Sequence, residues 1–416
     1  MKKLNLRILI PVLIIWLNLI WFPNKAGMWL SPIILLGAIG YLIHVLISKQ
    51  EPNKLKNQKL HPTVYWSVFV LLAVILLLWC GYLFDKHPID IAKSDIIPLI
   101  KEIYYTRLVR GEFVYATVYG YDYKVWTPNY LPMHWMPFCI AFYNNFDPRY
   151  TAVISFLIAQ LAYAYYLKKH AFSIGETLFK LALPFILAYS VLHKQPDTFV
   201  HNIEFLIVGY YVVLAVGLIN NNRFLQWLGI SSALLSRYFV AFYLPIDAWL
   251  NNIFKEKKQY AVYVSVGVTM LLLYVIPFVW HDPTLFFKGA QAYDVAALGE
   301  WDGQSWQAKG DKPFQLFRGY GFASWFYSIG EANLLDKINL LKKTLLLSMP
   351  ICWLVCYLYF KKSNQTHMNK VLSLFVVISV FNSFVLVPYN YLYWHILFLI
   401  PVVIMQTKIF HSNTKA

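Results

Sequence analysis

Apolar runs close to the length that crosses a hydrocarbon core of about 30 Å, roughly 17 to 25 residues, recur along the whole chain. They lie at 4–22, 28–48, 63–84, 150–167, 177–193, 199–219, 260–280, 344–360, 371–388 and 391–406. No other feature limits the fold as strongly, because a backbone in lipid must satisfy its own hydrogen bonds, which leaves helices or a closed barrel. Composition agrees: 13% of residues are charged, against about a quarter in soluble domains. Two segments do not fit a simple crossing. LPMHWMPFCIAFYNNF (131–146) is short and holds two prolines, and 224–250 is long and interrupted by Arg237. The expectation is an all-α polytopic membrane protein of about 12 transmembrane helices, a single membrane domain over 1–416, with a re-entrant or juxtamembrane helix and two large outer loops at about 85–149 and 281–343. The start, MKKLNLRILIPVLIIWLNLIWF, imitates a signal peptide, but only PNKAG follows where small cleavage-site residues belong, so it reads as a retained first helix. Cys352 and Cys356, one helical turn apart in an apolar run, read as core thiols and not as a disulfide or zinc framework.

The net charge of +16 would suggest nucleic acid in a soluble chain. In a membrane chain it is first a statement of topology, because short cytoplasmic loops are enriched in Lys and Arg. With the N-terminus inside, the cytoplasmic segments are MKK, KQEPNKLKNQK, KKH, NNNR, FKEKK, KKSNQTHMNK and the C-terminal tail, and they hold the whole excess. Counted as Lys and Arg alone the bias is smaller, since the two long outer loops carry basic residues of their own. This orientation requires 131–146 not to cross and 224–250 to enter and leave on one side. It makes membrane lipid a partner and nucleic acid not one, and it places a multi-pass chain in the cytoplasmic membrane with both termini inside.

The first outer loop has helix character from Asp95: Ile96, Ile100, Ile103, Tyr104 and Leu108 recur at helical spacing, Lys101, Arg107 and Arg110 take the other side, and Gly111 stops the run. Such a helix lies along a membrane surface. Ser94 or Asp95 is then an N-cap, or Asp95 is a reactive carboxylate. Downstream, Tyr115, Tyr119, Tyr121, Tyr123, Trp126, Tyr130 and Trp135 crowd the loop, as an interfacial aromatic belt or as a wall for a sugar or a lipid head group.

This layout resembles the membrane glycosyltransferases of the GT-C superfamily. The likeness rests on Asp95, an amphipathic helix ending in Gly111, GEFVY, and TPNYLPMHWMPF entering the next helix. It continues through HKQPDTFVHNIEF (193–205), SRYFVAFYLP (236–245) and VPYNYLYWHILFLIP (387–401). The nearest likeness is to glycosyltransferase family 87 and the polyprenol-phosphate-sugar-dependent mannosyltransferases. It covers 63–406, leaving 1–62 as two additional helices. The resemblance implies a GT-C-like fold and transfer of a sugar, such as mannose or another hexose or pentose, from a polyprenyl-phosphate donor to a lipid-linked or cell-envelope glycan acceptor. It further implies that transfer takes place at the outer face, with inversion.

That chemistry needs a base near the acceptor hydroxyl; Asp95 is the first candidate, Asp90 the second and Glu102 the third. The leaving phosphate needs a cation. Arg237 leads, because an ionisable residue within a membrane segment reads as functional by default, with an internal ion pair to Asp247 as the plainer alternative; Lys194 and Arg318 follow. Asp197, His201, Asn202 and Glu204, with Tyr130 and Trp135, are candidates for acceptor or sugar binding, His201 and Glu204 sharing a helix face. No cofactor is expected. Glu300 and Asp302, in Glu-Trp-Asp, are weak candidates for a divalent metal. The rival readings are a lipid or oligosaccharide translocase, for which inverted halves and interrupted helices are expected, and a polysaccharide ligase or polymerase using a lipid-linked glycan.

Overall fold

The computed structural model describes residues 3–21, 29–48, 60–91, 93–94, 96–121, 124–250, 256–303, 312–361, 363 and 366–411, and these are almost entirely helical. The described residues start in β1 (Lys3–Leu4) and, after the last helix, finish in β4 (Phe410–His411), which pairs antiparallel with it. Both described ends therefore share one face of the bundle, the terminus face.

From there α1 (Leu6–Trp16), prolonged by a π-turn to Trp21, climbs to the opposite loop face, where the Ser31 hydroxyl donates to Asn18 at the start of α2 (Ser31–Ile47). The next helix, α3 (Pro62–Lys86), begins beside the C-terminal end of α7 (Arg149–Leu167) and finishes beside its start. Tyr65 donates to the Ala164 carbonyl at one end, and Arg149 donates to the carbonyls of Phe84 and His87 at the other. Between them, on the loop face, lie α4 (Ile96–Leu99), a π-segment (Ile100–Tyr105), α5 (Thr106–Val109) and a small ladder of β2 (Val118–Tyr121) with β3 (Lys124–Trp126). The helix expected from the spacing is thus present over 96–109. It buries Ile97, Leu99, Ile100, Ile103 and Tyr104, and Gly111 adopts the left-handed φ of +70° that ends it.

The segment read as dipping without crossing is α6 (Pro132–Tyr143). A helix of this length is too short to span, and the chain leaves it at Asn144 to start α7 (Arg149–Leu167) on the loop face, beside His87. The path then descends α7, climbs α8 (Ile174–Lys194), turns through α9 (Pro196–Val200) and descends α10 (Glu204–Ile219). Residues 223–250 enter and leave on the terminus face, as expected: α11 (Arg223–Leu234), a 3-10 turn (Tyr238–Phe242) and α12 (Leu244–Leu250) form a hairpin. Its foot is tied to the next helix by the ion pair of Arg223 with Glu256. From there α13 (Lys257–Met270) continues as a π-helix to Val279 and climbs to the loop face, which holds α14 (Leu285–Trp301) and α15 (Ala323–Tyr327). Finally α16 (Leu334–Phe360) descends, α17 (Thr366–Ser383) climbs and α18 (Trp394–Val403) returns to the terminus face.

The about 12 spanning helices expected are not what forms. Among the described residues five helices are long and apolar enough to cross a membrane, Pro62–Lys86, Arg149–Leu167, Ile174–Lys194, Lys257–Val279 and Leu334–Phe360. Leu6–Trp21, Ser31–Ile47, Glu204–Ile219 and Asn390–Val403 are shorter apolar helices. The shortfall has local causes. The 199–219 run loses its first turn because the Asn202 side chain accepts from the Glu204 N–H at 2.7 Å and restarts the helix there. The second long loop is also less of a loop than expected, since α14 occupies 285–301 and α16 begins at Leu334, capped by the Asn333 side chain on the Asp336 N–H.

The interior is organised around α10, every residue of which is buried. Glycines allow its close contacts: a Cβ on Gly229 of α11 would stand 2.5 Å from Leu214 Cα, and one on Gly209 would stand 2.9 Å from the Ser155 hydroxyl. The peripheral helices α3 and α16 turn Leu78, Leu347 and Ile351 outward. An all-round apolar exterior on long helices belongs to a membrane-embedded protein.

Candidate functional site

The break before α10 and the break inside the 223–250 hairpin meet near the loop face, and each supplies one half of an ion pair. Arg237 leaves α11 in extended conformation (φ −148°, ψ 144°), and its Nη2 donates to Glu204 Oε2 at 2.6 Å. Nε2 of His395, in the first turn of α18, stands 3.0 Å from the other carboxylate oxygen, off the axis of a linear hydrogen bond. Glu204 and His395 are fully buried, whereas the Arg237 side chain keeps 19% exposure. The rings of Phe239 and Tyr391 each lie 5.8 Å from its guanidinium carbon. The start of α6 is joined to the same place by Met133 N–H donating to the Leu235 carbonyl at 2.8 Å, which brings the buried His134 within electrostatic reach of Arg237 and Glu204. Tyr293 of α14 also feels Arg237. Four separate elements, α6, α10, α18 and the hairpin, thus converge on one charged centre near the loop face.

A buried ion pair involving Arg237 was one of the two readings open from sequence, but its partner is Glu204. Asp247 is fully buried further down the hairpin, where it accepts from the hydroxyls of Tyr243 and Tyr263 at 2.7 and 2.5 Å. Glu204 itself does not share a helix face with His201, because the helix is interrupted at 201–203. His201 and Asn202 turn back on α9, His201 Nδ1 lying 2.8 Å from the Asp197 carbonyl and Asn202 donating to the Thr198 carbonyl.

The other candidates separate from this centre. Asp197 sits at the surface, 3.1 Å from both Lys93 Nζ and His87 Nδ1, so it anchors the segment after α3 to α9. Burial pushes its carboxyl up, but the hydrogen bond and charge of Lys93 and the nearby histidines outweigh this and hold it below the usual carboxylate value. Asp95 lies outside the described residues. Its neighbour Ser94 caps the following helix through a hydroxyl 3.5 Å from the Ile96 N–H. Asp90 forms the turn before it, its carbonyl accepting from Lys93 and Ser94, and Glu102 is exposed on the helix face away from the bundle. Lys194 lies over the Trp21 ring at 3.9 Å, and Arg318 donates to Gln315 at 3.1 Å, so neither shares a partner with Arg237.

Trp135 is fully buried and donates to the Tyr115 hydroxyl, a core position and not a sugar-binding wall. Tyr130 stacks on His134 at 4.5 Å, linking the aromatic loop to the charged centre. Glu300 accepts from the Tyr389 hydroxyl at 3.0 Å, and Asp302 is exposed. Among the described residues no group of three or more His, Cys, Asp or Glu side chains is placed to hold a metal ion. His395 and His134 escaped the sequence reading, although His395 satisfies the rule that singled out Arg237, an ionisable group inside an apolar run.

Compared with protein-family models, curated proteins and solved structures, the chain matches none.

Proposed function

We propose that this protein is a GT-C-like membrane glycosyltransferase that takes its sugar from a polyprenyl phosphate on the loop face, the outer side of a cytoplasmic membrane. The observation that carries the reading is the half-open Arg237: its Nη2 is held by Glu204, while 19% of the side chain remains accessible in an otherwise apolar bundle. An arginine fixed in this way offers its remaining N–H groups to the oxygens of a departing phosphate. Asp95, which precedes the 96–109 helix in sequence, is the proposed base. The acceptor is a lipid-linked or envelope glycan.

The test is transfer by the purified chain from a panel of polyprenyl-phosphate sugars. Activity with at least one donor is expected, reduced by about two orders of magnitude or more in Asp95→Asn and in Arg237→Gln. Unchanged transfer in Asp95→Asn sinks the assignment of the base, and no transfer from any donor sinks the reading.

One observation favours a second reading. The charged centre is built where α10 restarts and where the 223–250 hairpin unwinds, and interrupted helices around buried charge are the architecture of translocases. Movement of a fluorescent lipid or lipid-linked oligosaccharide across proteoliposomes, without sugar transfer, decides for it.

A further inference from the structure

Three helices start near one another at the terminus face, at the foot of the 223–250 hairpin. Arg223, the first residue of α11, donates to Gln259 of α13 and pairs with Glu256, which immediately precedes that helix. His367 and Lys370, in the opening turns of α17, lie within electrostatic reach of Arg223 and Glu256. The N-terminus of a helix carries a partial positive charge that favours carboxylates beside it. None of these three helices has an acidic residue in its first turn. Their opening turns hold Arg223, the exposed Lys257 and Lys258, and Lys370 instead. Side-chain cations and helix dipoles of one sign therefore converge. The preference of basic loops for one side of a membrane explains which face they occupy, but not why they meet.

Two donors inside the cluster have no acceptor. Lys370 is 2% exposed, and among the described residues its ammonium makes no hydrogen bond or ion pair. The carboxylates whose charge it feels, Asp247 and Glu256, are engaged by the hydroxyls of Tyr243 and Tyr263 and by Arg223. Gln259 is fully buried, and because its Oε1 accepts from Arg223, its Nε2 presents hydrogens beside that guanidinium with no partner. An unmet buried donor is costly, and more so when it is charged.

We infer that the starts of α11, α13 and α17 form an anion site, separate from the Arg237 centre, that takes the phosphate of an anionic phospholipid from the leaflet at the terminus face. A phosphate offers only acceptors, which is what Lys370, Gln259 and three helix N-termini require. The site lies at the end of the bundle, so the anion reaches it from the head-group layer without entering the hydrocarbon. Exposed Tyr260, in the first turn of α13, and exposed Trp249, stacked on Tyr357 beside Lys361, are rings of the kind that sit in that layer. Basic pockets between helices at this depth hold lipid head groups. Free inorganic phosphate is the other source of the same chemistry. The inference stands whether or not the chain transfers sugar.

The test is native mass spectrometry of the detergent-solubilised full chain with dioleoyl phosphatidylglycerol, dioleoyl phosphatidylcholine and inorganic phosphate as probes. The wild type is expected to hold phosphatidylglycerol over phosphatidylcholine by about tenfold. Lys257→Gln/Lys258→Gln, which alters two exposed side chains, is expected to weaken phosphatidylglycerol binding about tenfold or more, and Lys370→Gln at least as much. Lys168→Gln/Lys169→Gln removes the same charge from the same face, but at the C-terminal end of α7, where the dipole already favours cations. It is expected to change binding by less than about twofold. If Lys370→Gln does not fold, the two exposed pairs decide by themselves. Equal binding of the two lipids by the wild type overturns the inference, as does unchanged binding in Lys257→Gln/Lys258→Gln. An equal loss in both exposed pairs also overturns it, since the effect is then the charge of the whole face and not a site. Inorganic phosphate that displaces the phosphatidylglycerol and binds with the same dependence on Lys257 and Lys258 overturns the phospholipid as the ligand.

Discussion

Arg237 was legible from the sequence because a guanidinium inside an apolar run has to be explained; its partner was not. Asp247 is the nearest acid along the same segment, but the 3-10 turn carries it down the hairpin to the hydroxyls of Tyr243 and Tyr263. Glu204 arrives from another helix, and nothing in linear spacing pairs 204 with 237. His201 and Glu204 illustrate the same limit from the other side, since a three-residue spacing places side chains on one face only along an unbroken helix, and Asn202 breaks it. Because Glu204 is fully buried against Arg237 and His395, Glu204→Ala leaves a cation unpaired in the interior and is expected to destabilise the protein by about 3–5 kcal/mol, read as a lowered Tm in detergent. Asp197 behaves differently, as an exposed anchor. Its carboxyl is held below the usual value by Lys93 and the neighbouring histidines, so the stabilisation is complete above the unfolded value near 3.8 and is lost as pH falls through the lower folded value. Hydrogen exchange around His87 and Ser94 is expected to rise on acidification in that range and to be fast at all pH values in Asp197→Asn; a loop equally protected in both breaks the assignment.

At the scale of elements, periodicity identified the surface helix and its glycine stop, because amphipathic spacing and a left-handed terminus are local properties. The face came out slightly rotated: Ile97 and Leu99 are buried while Leu108 is exposed, since the π-segment at Ile100–Tyr105 shifts the register. The start of α16 was missed because LLDKINLLKK reads as a charged loop, although Asn333 caps it and Ile338 and Leu341 are buried at helical spacing. The α10–α11 contact was invisible, because glycine acquires meaning only from what approaches it. At Gly229 an added Cβ would meet the Leu214 backbone at 2.5 Å, where no flexible side chain can yield. Gly229→Ala is therefore expected to force α10 and α11 apart, costing about 1–3 kcal/mol, whereas Gly267→Ala, whose Cβ would enter open space, leaves the Tm within about 0.5 kcal/mol equivalent. Thermal unfolding of the two variants side by side distinguishes an interface glycine from a tolerated one.

At the scale of the molecule, hydropathy overestimated the spanning helices, because it counts apolar length and is blind to the breaks within it. The two segments that do not fit a simple crossing form a 12-residue helix, α6, and a hairpin whose ends meet through Arg223 and Glu256. The pairing of β1 with β4 puts both ends on one face, and Lys168, Lys257 and Arg223 lie on that same face by the connections of the helices between them. The net charge of +16 makes the orientation testable, since loops rich in Lys and Arg are expected on the cytoplasmic side. Cysteines introduced at Lys168 and Lys257 are expected to react with an impermeant maleimide only after the membrane is opened. Those at Glu102, Asn145 and Glu331, all exposed on the loop face, should react in intact cells. Asn145 is the sharpest of these, because it lies just beyond α6: labelling from the cytoplasmic side would make α6 a crossing, invert every later helix and move the charged centre to the face where a polyprenyl-phosphate donor is not presented.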